Sequence, residues 1–340
     1  MRTYLGVDGG GSKTAFVLID ESGKVLASHT EGPAYYLEIG LGELRVMLGR
    51  GIRATLELGG ISPANLNFAF FGLPAYGEDS RLLPVLDAAA SPALPSERYR
   101  CGNDMVCGWA GALACEDGIN VVAGTGSIAY GEYCGRVARA GGWGELFGDE
   151  GSAYWIARQG LTLFSRMSDG RAQRGALYDI LRQHFELPSD LDLCAAIYGQ
   201  SVAQRSQFAR LSKLVAQAAD AGDVQAKALF AQAANELADI INAVRYQLQA
   251  PDAVAMPLSY SGGVFQLREL LLTPLQSALS ARGVKYRFAE PRLPAEAGAA
   301  LYAARLSGFP LAVPAVTALE SEVQQGSHGP LARAERNTVF

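Results

Sequence analysis

"GVDGGGSKT", residues 6–14, links two apolar segments near the start of the chain. Asp8 closes the first segment, and three glycines followed by Ser12, Lys13 and Thr14 come after it. Glycines in such a turn let backbone N–H groups approach phosphate oxygens without obstruction by a Cβ atom. The stretch is typical of a phosphate-binding turn, although a tight hairpin that needs glycine only for positive φ has the same composition.

The segment after this turn decides which fold it belongs to. Residues 14–20 are rich in β-branched and aromatic side chains, residues 21–24 have turn composition, and residues 25–29 form another apolar run. This order predicts a β-meander, whereas dinucleotide-binding and Walker-type loops are followed by a helix. The Gly-x-Gly-x-x-Gly spacing is also absent, so neither of those two folds is expected.

A second glycine turn repeats the pattern about 115 residues further along. The apolar run 119–123 precedes Gly-Thr-Gly-Ser at 124–127, and strand-like segments follow at 128–133 and 137–139. Two similar meanders predict an internally duplicated fold. We expect each half to offer one hairpin to the same nucleotide, from opposite sides of a central cleft.

Two further segments fit a nucleotide-binding protein. Tyr260 to Phe265 includes Gly262 and Gly263 and leads into a helical pattern, a context that can accept the α-phosphate and sugar of a nucleotide. Residues 294–301, PAEAGAAL, place small side chains at helical spacing. That composition permits a close helix crossing or close approach to a ligand.

Composition narrows the function classes. The chain has 340 residues, 49% hydrophobic residues and a net charge of −5, which favours neither nucleic acid nor an anionic membrane as a partner. Five cysteines without a Cys-x-x-Cys pair indicate reduced thiols in the cytoplasm. A strand pattern from Thr3 leaves no expected space for a signal peptide or a DNA-reading helix-turn-helix. With three histidines and no metal spacing, a carboxylate is the expected base.

Asp104 is the candidate catalytic base. It follows Asn103 and precedes an apolar segment of small residues that reads as a helix, where the helix dipole favours an anion. Phosphoryl transfer to a hydroxyl needs such a carboxylate to take the proton. A simple N-cap role for Asp104 or Asn103 fits the same residues.

Carboxylates, amides and backbone groups are the usual protein partners of a hydroxyl-bearing ligand. Gly142, Trp143 and Gly144 can bring backbone close to a ring, and Asp149 can accept two hydroxyl hydrogen bonds. Gly72 ends an apolar strand, and strand ends border ligands in α/β sheets. Trp143 is equally readable as a core or interface aromatic.

Together these segments resemble the actin-like ATPase superfamily. The stretch 141–155, GGWGELFGDEGSAYW, and Asn103-Asp104 are more specifically similar to the N-acetylglucosamine kinases, which are grouped with the BadF/BadG/BcrA/BcrD ATPases. The resemblance covers about residues 3–308. It implies an α/β, two-lobed actin-like ATPase (ribonuclease H-like) fold with duplicated βββαβα units and a central cleft.

The resemblance also implies ATP and Mg²⁺ as cofactors, with Asp8 holding Mg²⁺ through water and Asp104 as the base. The residues expected to bind ATP are Gly9, Gly10, Gly11, Ser12, Lys13, Thr14, Gly124, Thr125, Gly126, Ser127, Ala209, Gly262 and Gly263. The residues expected to bind the sugar are Gly72, Asn103, Asp104, Gly142, Trp143, Gly144 and Asp149.

The implied function is ATP-dependent phosphorylation of an amino sugar such as N-acetylglucosamine or glucosamine. Tyr35 and Pro74-Ala75 stand where the family often has other residues, so N-acetylmuramic acid or a neutral hexose stays open as the acceptor. An ATPase activator of a CoA-thioester dehydratase or reductase is the enzyme alternative, with Cys101 and Cys107 as its one close cysteine pair. A sugar-sensing repressor and a filament or chaperone protein are alternatives without kinase activity.

The chain is expected to form an N-terminal lobe at 1–113 and a C-terminal lobe at 114–292. A helix at 293–308 would return to the first lobe, and 309–340 would form a loosely packed tail. Residues 224–248 show apolar spacing of three and four, which predicts a long helix for the core or for a homodimer interface.

Overall fold

The structure is a computed structural model that describes residues 1–199 and 205–326. It divides into two compact units. Unit 1 comprises Met1–Glu116 and the chain from Glu290 onward, and unit 2 comprises Asp117–Ala289. The predicted lobe boundaries, after 113 and after 292, lie three residues from the observed ones at 116 and 289.

Unit 1 is built on a five-stranded mixed sheet in the order β3-β2-β1-β4-β5. The first three strands form the antiparallel meander predicted from residues 3–29, and β4 and β5 run parallel to β1. The inner strands β1 and β4 are buried almost throughout, as expected for strands covered on both faces. The strands are β1 (Thr3–Gly9), β2 (Thr14–Asp20), β3 (Val25–Glu31), β4 (Phe68–Leu73) and β5 (Tyr99–Asn103).

Helices pack on the unit 1 sheet, and one of them approaches β1 very closely. A Cβ atom added at Gly6 would lie 2.2 Å from the Ala300 nitrogen and 2.2 Å from the Glu296 oxygen, so only glycine fits there. The helices of unit 1 are α1 (Tyr36–Ile39), α2 (Leu41–Leu58), α3 (Leu83–Asp87), α4 (Asp104–Leu113), α12 (Ala295–Leu306) and α13 (Val313–Gly326), with short 3₁₀ turns at Pro63–Asn65, Ser80–Leu82 and Ser96–Arg98.

Unit 2 repeats the same sheet topology. Its strand order is β10-β9-β6-β7-β8, in which β6, β7 and β8 form an antiparallel meander and β9 and β10 run parallel to β6. The duplicated α/β fold predicted from the two glycine turns is therefore confirmed. The strands are β6 (Gly118–Ala123), β7 (Ser127–Tyr133), β8 (Arg136–Gly141), β9 (Met256–Ser261) and β10 (Tyr286–Ala289).

The long amphipathic helix predicted at 224–248 is α10 and belongs to the unit 2 core. Its apolar side chains, among them Phe230, Leu237 and Ile241, are fully buried. None of the described helices is long and apolar enough to cross a membrane. The helices of unit 2 are α5 (Ala153–Ser168), α6 (Ala176–His184), α7 (Asp192–Tyr198), α8 (Arg205–Arg210), α9 (Ser212–Asp220), α10 (Val224–Gln247) and α11 (Arg268–Ala281), with a 3₁₀ turn at Gly263–Gln266.

The loosely packed tail predicted from residue 309 is wrong for the part of it that forms α13. Leu319 of this helix is fully buried, and Glu322 accepts a hydrogen bond from the backbone N–H of Val25 on β3. Arg292 pairs with Glu320 of α13 and with Glu116. The helix is thus docked on unit 1. Residues 327–340 of the predicted tail lie outside the described residues.

Candidate active site

The first glycine turn joins β1 to β2 and is closed by one hydrogen bond from the Gly10 N–H to the Lys13 oxygen, at 2.9 Å. Within the described chain, the N–H groups of Gly11, Ser12 and Lys13 donate to no backbone carbonyl, and these three residues are exposed. A turn with several free N–H groups is suited to an anion. Thr14 differs, because it is buried and its hydroxyl donates to the Gly32 oxygen.

Three parallel strands of unit 1 bring four predicted site residues together at their carboxyl ends. Asp8 on β1 pairs in register with Gly72 on β4, and Gly72 pairs with Gly102 on β5, one residue before Asn103. Asp104 then opens α4. The predicted metal ligand and the predicted base therefore lie beside each other at one edge of the sheet, where α/β proteins bind ligands.

Burial raises the pKa of Asp8 well above its ordinary value, and the carboxylates of Asp104 and Glu296 raise it further. Burial likewise raises the pKa of Asp104 to about 6. A carboxylate with a pKa in this range is a better proton acceptor than an ordinary aspartate and is still ionised at neutral pH. Asp104 can therefore act as a general base.

Cys107 is a residue of this site that the sequence interpretation missed. Its fully buried thiol donates to the Val7 oxygen at 3.6 Å and lies near the Asp8 carboxylate. A Cβ atom added at Gly72 would lie 2.2 Å from the Cys107 sulfur. Its position three residues after Asp104, on the same face of a helix, was the available signal.

Gly72 and Asn103 shape this edge of the sheet. Gly72 is buried, and its missing side chain makes room for α4. The Asn103 side chain caps α4 by accepting from the Met105 N–H at 3.1 Å, and its amide donates to the Tyr76 oxygen at 3.2 Å. The N-cap alternative thus applies to Asn103. The Asp104 carboxylate also accepts from the backbone N–H groups of Met105 and Asp104, which oppose the effect of burial on its pKa.

The residues around Asp8 fit Mg²⁺ bound largely through water and phosphate. Asp8, Asp104 and Glu296 place like charges close together, and a divalent cation would relieve their repulsion. Among the described residues, no group of three or more His, Cys, Asp or Glu side chains could hold a metal by itself. Mg²⁺ commonly uses one or two carboxylates and takes its other ligands from water and substrate phosphates.

The second glycine turn, in unit 2, joins β6 to β7. Gly124 donates to the Gly126 oxygen at 2.9 Å, while in the described chain the N–H groups of Thr125 and Gly126 donate to no backbone carbonyl. The first N–H groups of α5 donate to the carbonyls of Gly124 and Thr125. The Ser127 hydroxyl donates to the Glu150 oxygen at 2.6 Å, so in this turn the backbone, and not Ser127, is free to donate.

Asp149 is buried and already has partners within unit 2. It adopts a φ of 55°, and its carboxylate accepts from the Ser127 N–H at 3.4 Å. Arg205 of α8 forms an ion pair with the same carboxylate and another with Glu145 at 3.1 Å. Arg205 was not predicted from the sequence, because its partners lie more than 50 residues away in the chain.

The Gly-Gly-Trp-Gly segment forms the loop between β8 and α5. Gly142 and Gly144 have φ values of 68° and 84°, and the Gly142 N–H donates to the Ser127 oxygen. The Trp143 side chain is 66% exposed, so it is not a core aromatic, and the interface alternative stays a prediction. The Arg139 guanidinium donates to the carbonyls of Gly141 and Gly142 and lies 5.9 Å from the Trp143 ring centroid. Arg139 thereby stabilises the loop, and the Trp143 indole is exposed to solvent.

The other predicted nucleotide residues differ in accessibility. Gly262 directly follows β9 with a φ of 101°, and a Cβ atom there would lie 2.4 Å from the Ala123 oxygen, beside the second glycine turn. Gly263 is exposed. Ala209 of α8 is only 4% exposed, and the neighbouring Phe208 ring packs on Tyr154 at 4.5 Å. Ala209 therefore offers little of its side chain to a ligand.

Two duplicated β-meanders with free N–H groups at their glycine turns, and the neighbouring carboxylates of Asp8 and Asp104 in unit 1, define an ATPase fold of the actin-like type. The sequence profile of the BadF/BadG/BcrA/BcrD ATPase family matches residues 5–303, and the chain belongs to this family. The family resemblance expected from residues 141–155 is thereby confirmed.

Three relatives illustrate the similarity. The chain is 28% identical to N-acetyl-D-glucosamine kinase of Dictyostelium discoideum, over 79% of this chain and 87% of that protein. It is 30% identical to N-acetylmuramic acid/N-acetylglucosamine kinase of Clostridium acetobutylicum, over 78% and 86%. A crystal structure from Chromobacterium violaceum, provisionally described as an N-acetylglucosamine kinase, is 27% identical, covers 88% of this chain and 98% of its own, and superposes with a TM-score of 0.68.

Proposed function

We propose that this protein is a sugar kinase that transfers the terminal phosphoryl group of ATP to a hydroxyl of an amino sugar, N-acetylglucosamine or glucosamine first among them. The observation that carries the proposal is Asp104, a carboxylate with a raised pKa at the strand ends of unit 1, next to Asp8 and a glycine turn with free N–H groups. The relatives named above, which are amino-sugar kinases, support the same reaction class.

In the proposed reaction Asp104 accepts the proton of the sugar hydroxyl as its oxygen attacks the terminal phosphorus. The bond from that phosphorus to the bridging oxygen breaks, and ADP leaves with the electron pair. Mg²⁺, held by Asp8 through water, would supply positive charge to the phosphates. The hydroxyl proton is the only proton that Asp104 moves in this scheme, because the transferred phosphoryl group carries none.

We assign the phosphates of ATP to the two glycine turns, each on its own geometry. In the first turn the free N–H groups of Gly11, Ser12 and Lys13 would donate, with the Lys13 ammonium adding charge; Gly9, Gly10 and Thr14 would hold the turn in shape. In the second turn Thr125 and Gly126 would donate, supported by Gly124 and Ser127. Gly262 and Gly263 would lie along the nucleotide, and Ala209 would only border it.

The sugar would contact the exposed loop of Gly142, Trp143 and Gly144. A pyranose face could stack on the Trp143 indole. Asp149 would accept hydrogen bonds from sugar hydroxyls in place of some of its present contacts with Ser127 and Arg205. Asn103 and Gly72 would act by positioning Asp104. We also infer that the enzyme is cytoplasmic and that its cysteine thiols are reduced. The homodimer stays a prediction, and sedimentation at several protein concentrations would test it.

The test is an ADP-release assay with Mg·ATP and a panel of acceptors: glucose, glucosamine, N-acetylglucosamine, N-acetylmannosamine and N-acetylmuramic acid. We expect sugar-dependent ADP release with an amino sugar and a much slower background without sugar. The best substrate identifies the acceptor, so preference for N-acetylmuramic acid or glucose would select one of the alternatives. Absence of sugar-dependent release with every member of the panel would refute the proposal.

The dehydratase-activator alternative has less support in this structure. It would need accessible cysteines for an iron–sulfur cluster, yet Cys107 is fully buried against Asp8 and Cys101 is only partly exposed. Iron content of the purified protein would decide this point.

A further inference from the structure

Arg205 lies at the second glycine turn. The proposed function gives no role to a cationic side chain at this turn. A Cβ atom added at Gly126 would lie 2.5 Å from an Arg205 terminal nitrogen and 2.8 Å from an Asp149 oxygen. The guanidinium therefore lines the same turn whose free N–H groups are proposed to bind phosphate. Arg205 is 35% exposed, so a ligand at this turn can reach it.

The partners of Arg205 link this turn to the loop assigned to the sugar. Its guanidinium pairs with Asp149, which also accepts from the Ser127 N–H of the turn, and with Glu145 of the Gly-Gly-Trp-Gly loop. In the proposed reaction the group that must contact both the nucleotide turn and the sugar ligand is the transferring phosphoryl. Arg205 therefore has the position expected for a contact to that phosphoryl.

Charge favours an exchange of partners when a triphosphate arrives. Arg205 is shared between two carboxylates, and Asp149 is buried, so the sugar hydroxyls assigned to Asp149 must compete with the guanidinium. Phosphate oxygens form strong, often bidentate hydrogen bonds with arginine. Transfer of Arg205 from Asp149 to phosphate would leave the Asp149 carboxylate free to accept from the sugar.

We propose that Arg205 binds the terminal phosphate of ATP, and that it leaves Asp149 to do so. This inference rests on the proposed kinase function and adds a phosphate-binding residue to it. It also makes the ion pair between Arg205 and Asp149 a property of the nucleotide-free protein.

The experiment is calorimetric titration of Mg·AMP-PNP and, separately, AMP into wild type and variants. Arg205→Ala should weaken Mg·AMP-PNP binding by about 10- to 100-fold, the range of a charge-assisted hydrogen bond, and leave AMP binding unchanged. Arg205→Lys, which keeps the charge and loses the forked geometry, should show a smaller loss. Arg210→Ala, which removes an exposed arginine from the same helix, is the matched control and should bind both nucleotides as wild type does.

The Arg205→Ala change leaves Asp149 buried without its cation, which can destabilise unit 2. The double variant Arg205→Ala/Asp149→Asn removes the stranded charge and should show the same selective loss of Mg·AMP-PNP binding. Equal weakening of AMP and Mg·AMP-PNP would show that Arg205 only braces the fold, and wild-type affinity in Arg205→Ala would also overturn the proposal. If wild type itself binds neither nucleotide, the kinase function fails as well.

Discussion

Asp104 takes its reactivity from its surroundings in unit 1. Burial disfavours its charged form and raises its pKa to about 6. A base must be deprotonated, and below this pKa its ionised fraction falls about tenfold for each pH unit. We therefore predict that kcat/KM for the sugar is level at neutral pH and declines on the acid side of about pH 6. A pH profile with coupling enzymes in excess would check this, and a level profile well below pH 6 would contradict it.

Substitution of the base gives the second prediction at this scale. Asp104→Asn should lower kcat by about 10² to 10⁴, the usual contribution of a general base, because the amide cannot accept the hydroxyl proton. Binding of Mg·AMP-PNP should stay close to that of wild type. Asp169→Asn, at an exposed carboxylate that pairs with Arg171, is the control and should keep full activity. Retention of most turnover in Asp104→Asn would remove Asp104 from the role of base.

Single residues also show where sequence interpretation reached its limit. Asp104 and Asp8 could be proposed from the sequence because both stand at the ends of strand-like segments, a position that carries a local signal. Thr14 and Ser127 were expected to bind ATP, yet their hydroxyls donate to the Gly32 and Glu150 carbonyls. Those partners lie 18 and 23 residues away, and no local pattern predicts them. Arg205 was missed for the same reason, since its role depends on tertiary contacts. Cys107 had a local signal in its position three residues after Asp104, and that signal was overlooked.

At the scale of elements, the contact between α12 and β1 holds unit 1 together. Gly6→Ala would place a methyl group against the backbone of α12 at Glu296 and Ala300, and neither backbone atom can move easily. We expect a loss of about 3 kcal/mol in the free energy of unfolding, the upper end for overpacking. Denaturant titration would measure it. Gly42→Ala in α2, where the added Cβ meets no atom within 4 Å, should not destabilise the protein.

The docked helix α13 gives a second prediction at this scale. Leu319→Ala would remove a fully buried side chain and should cost about 2–5 kcal/mol. Val313→Ala at the 78% exposed start of the same helix should change stability by less than about 0.5 kcal/mol. Equal midpoints of denaturation for the two variants would show that α13 does not contribute to the core in solution.

Elements with strong local signals were predicted well, and α13 shows why others were not. The meanders, α4 and α10 follow from alternating or helical apolar spacing and from turn residues. Residues 309–314 contain two prolines, which suggested an open tail. Pro314, however, stands in the first turn of α13, where a helix tolerates proline. The packing of Leu319 on unit 1 is a long-range contact that the local sequence does not reveal.

At the scale of the whole molecule, the chain uses one sheet topology twice, and each copy carries a glycine turn after its first strand. The duplication was predictable because the two meanders share turn chemistry as well as strand pattern. The identity of the sugar was not predictable. In the proposed function the sugar contacts the loop around Trp143, whose conformation is set by Arg139 and by contacts to the second turn.

Nucleotide binding should stabilise the whole chain and should need Mg²⁺. At a concentration 100 times its Kd, Mg·AMP-PNP should add about 2.7 kcal/mol to the free energy of unfolding. EDTA should remove most of this gain, because the carboxylates near Asp8 then face the phosphates without a cation. Melting curves with and without EDTA would measure the effect, and identical curves would speak against a metal at this site.

The most direct test of the kinase assignment is a product balance with purified protein, Mg·ATP and the best sugar of the panel, followed by ³¹P NMR. The account predicts that each ATP consumed yields one ADP and one sugar phosphate, and that Asp104→Asn suppresses both products together. Conversion of ATP to ADP and inorganic phosphate with the sugar unmodified would contradict it and would point to an ATPase instead.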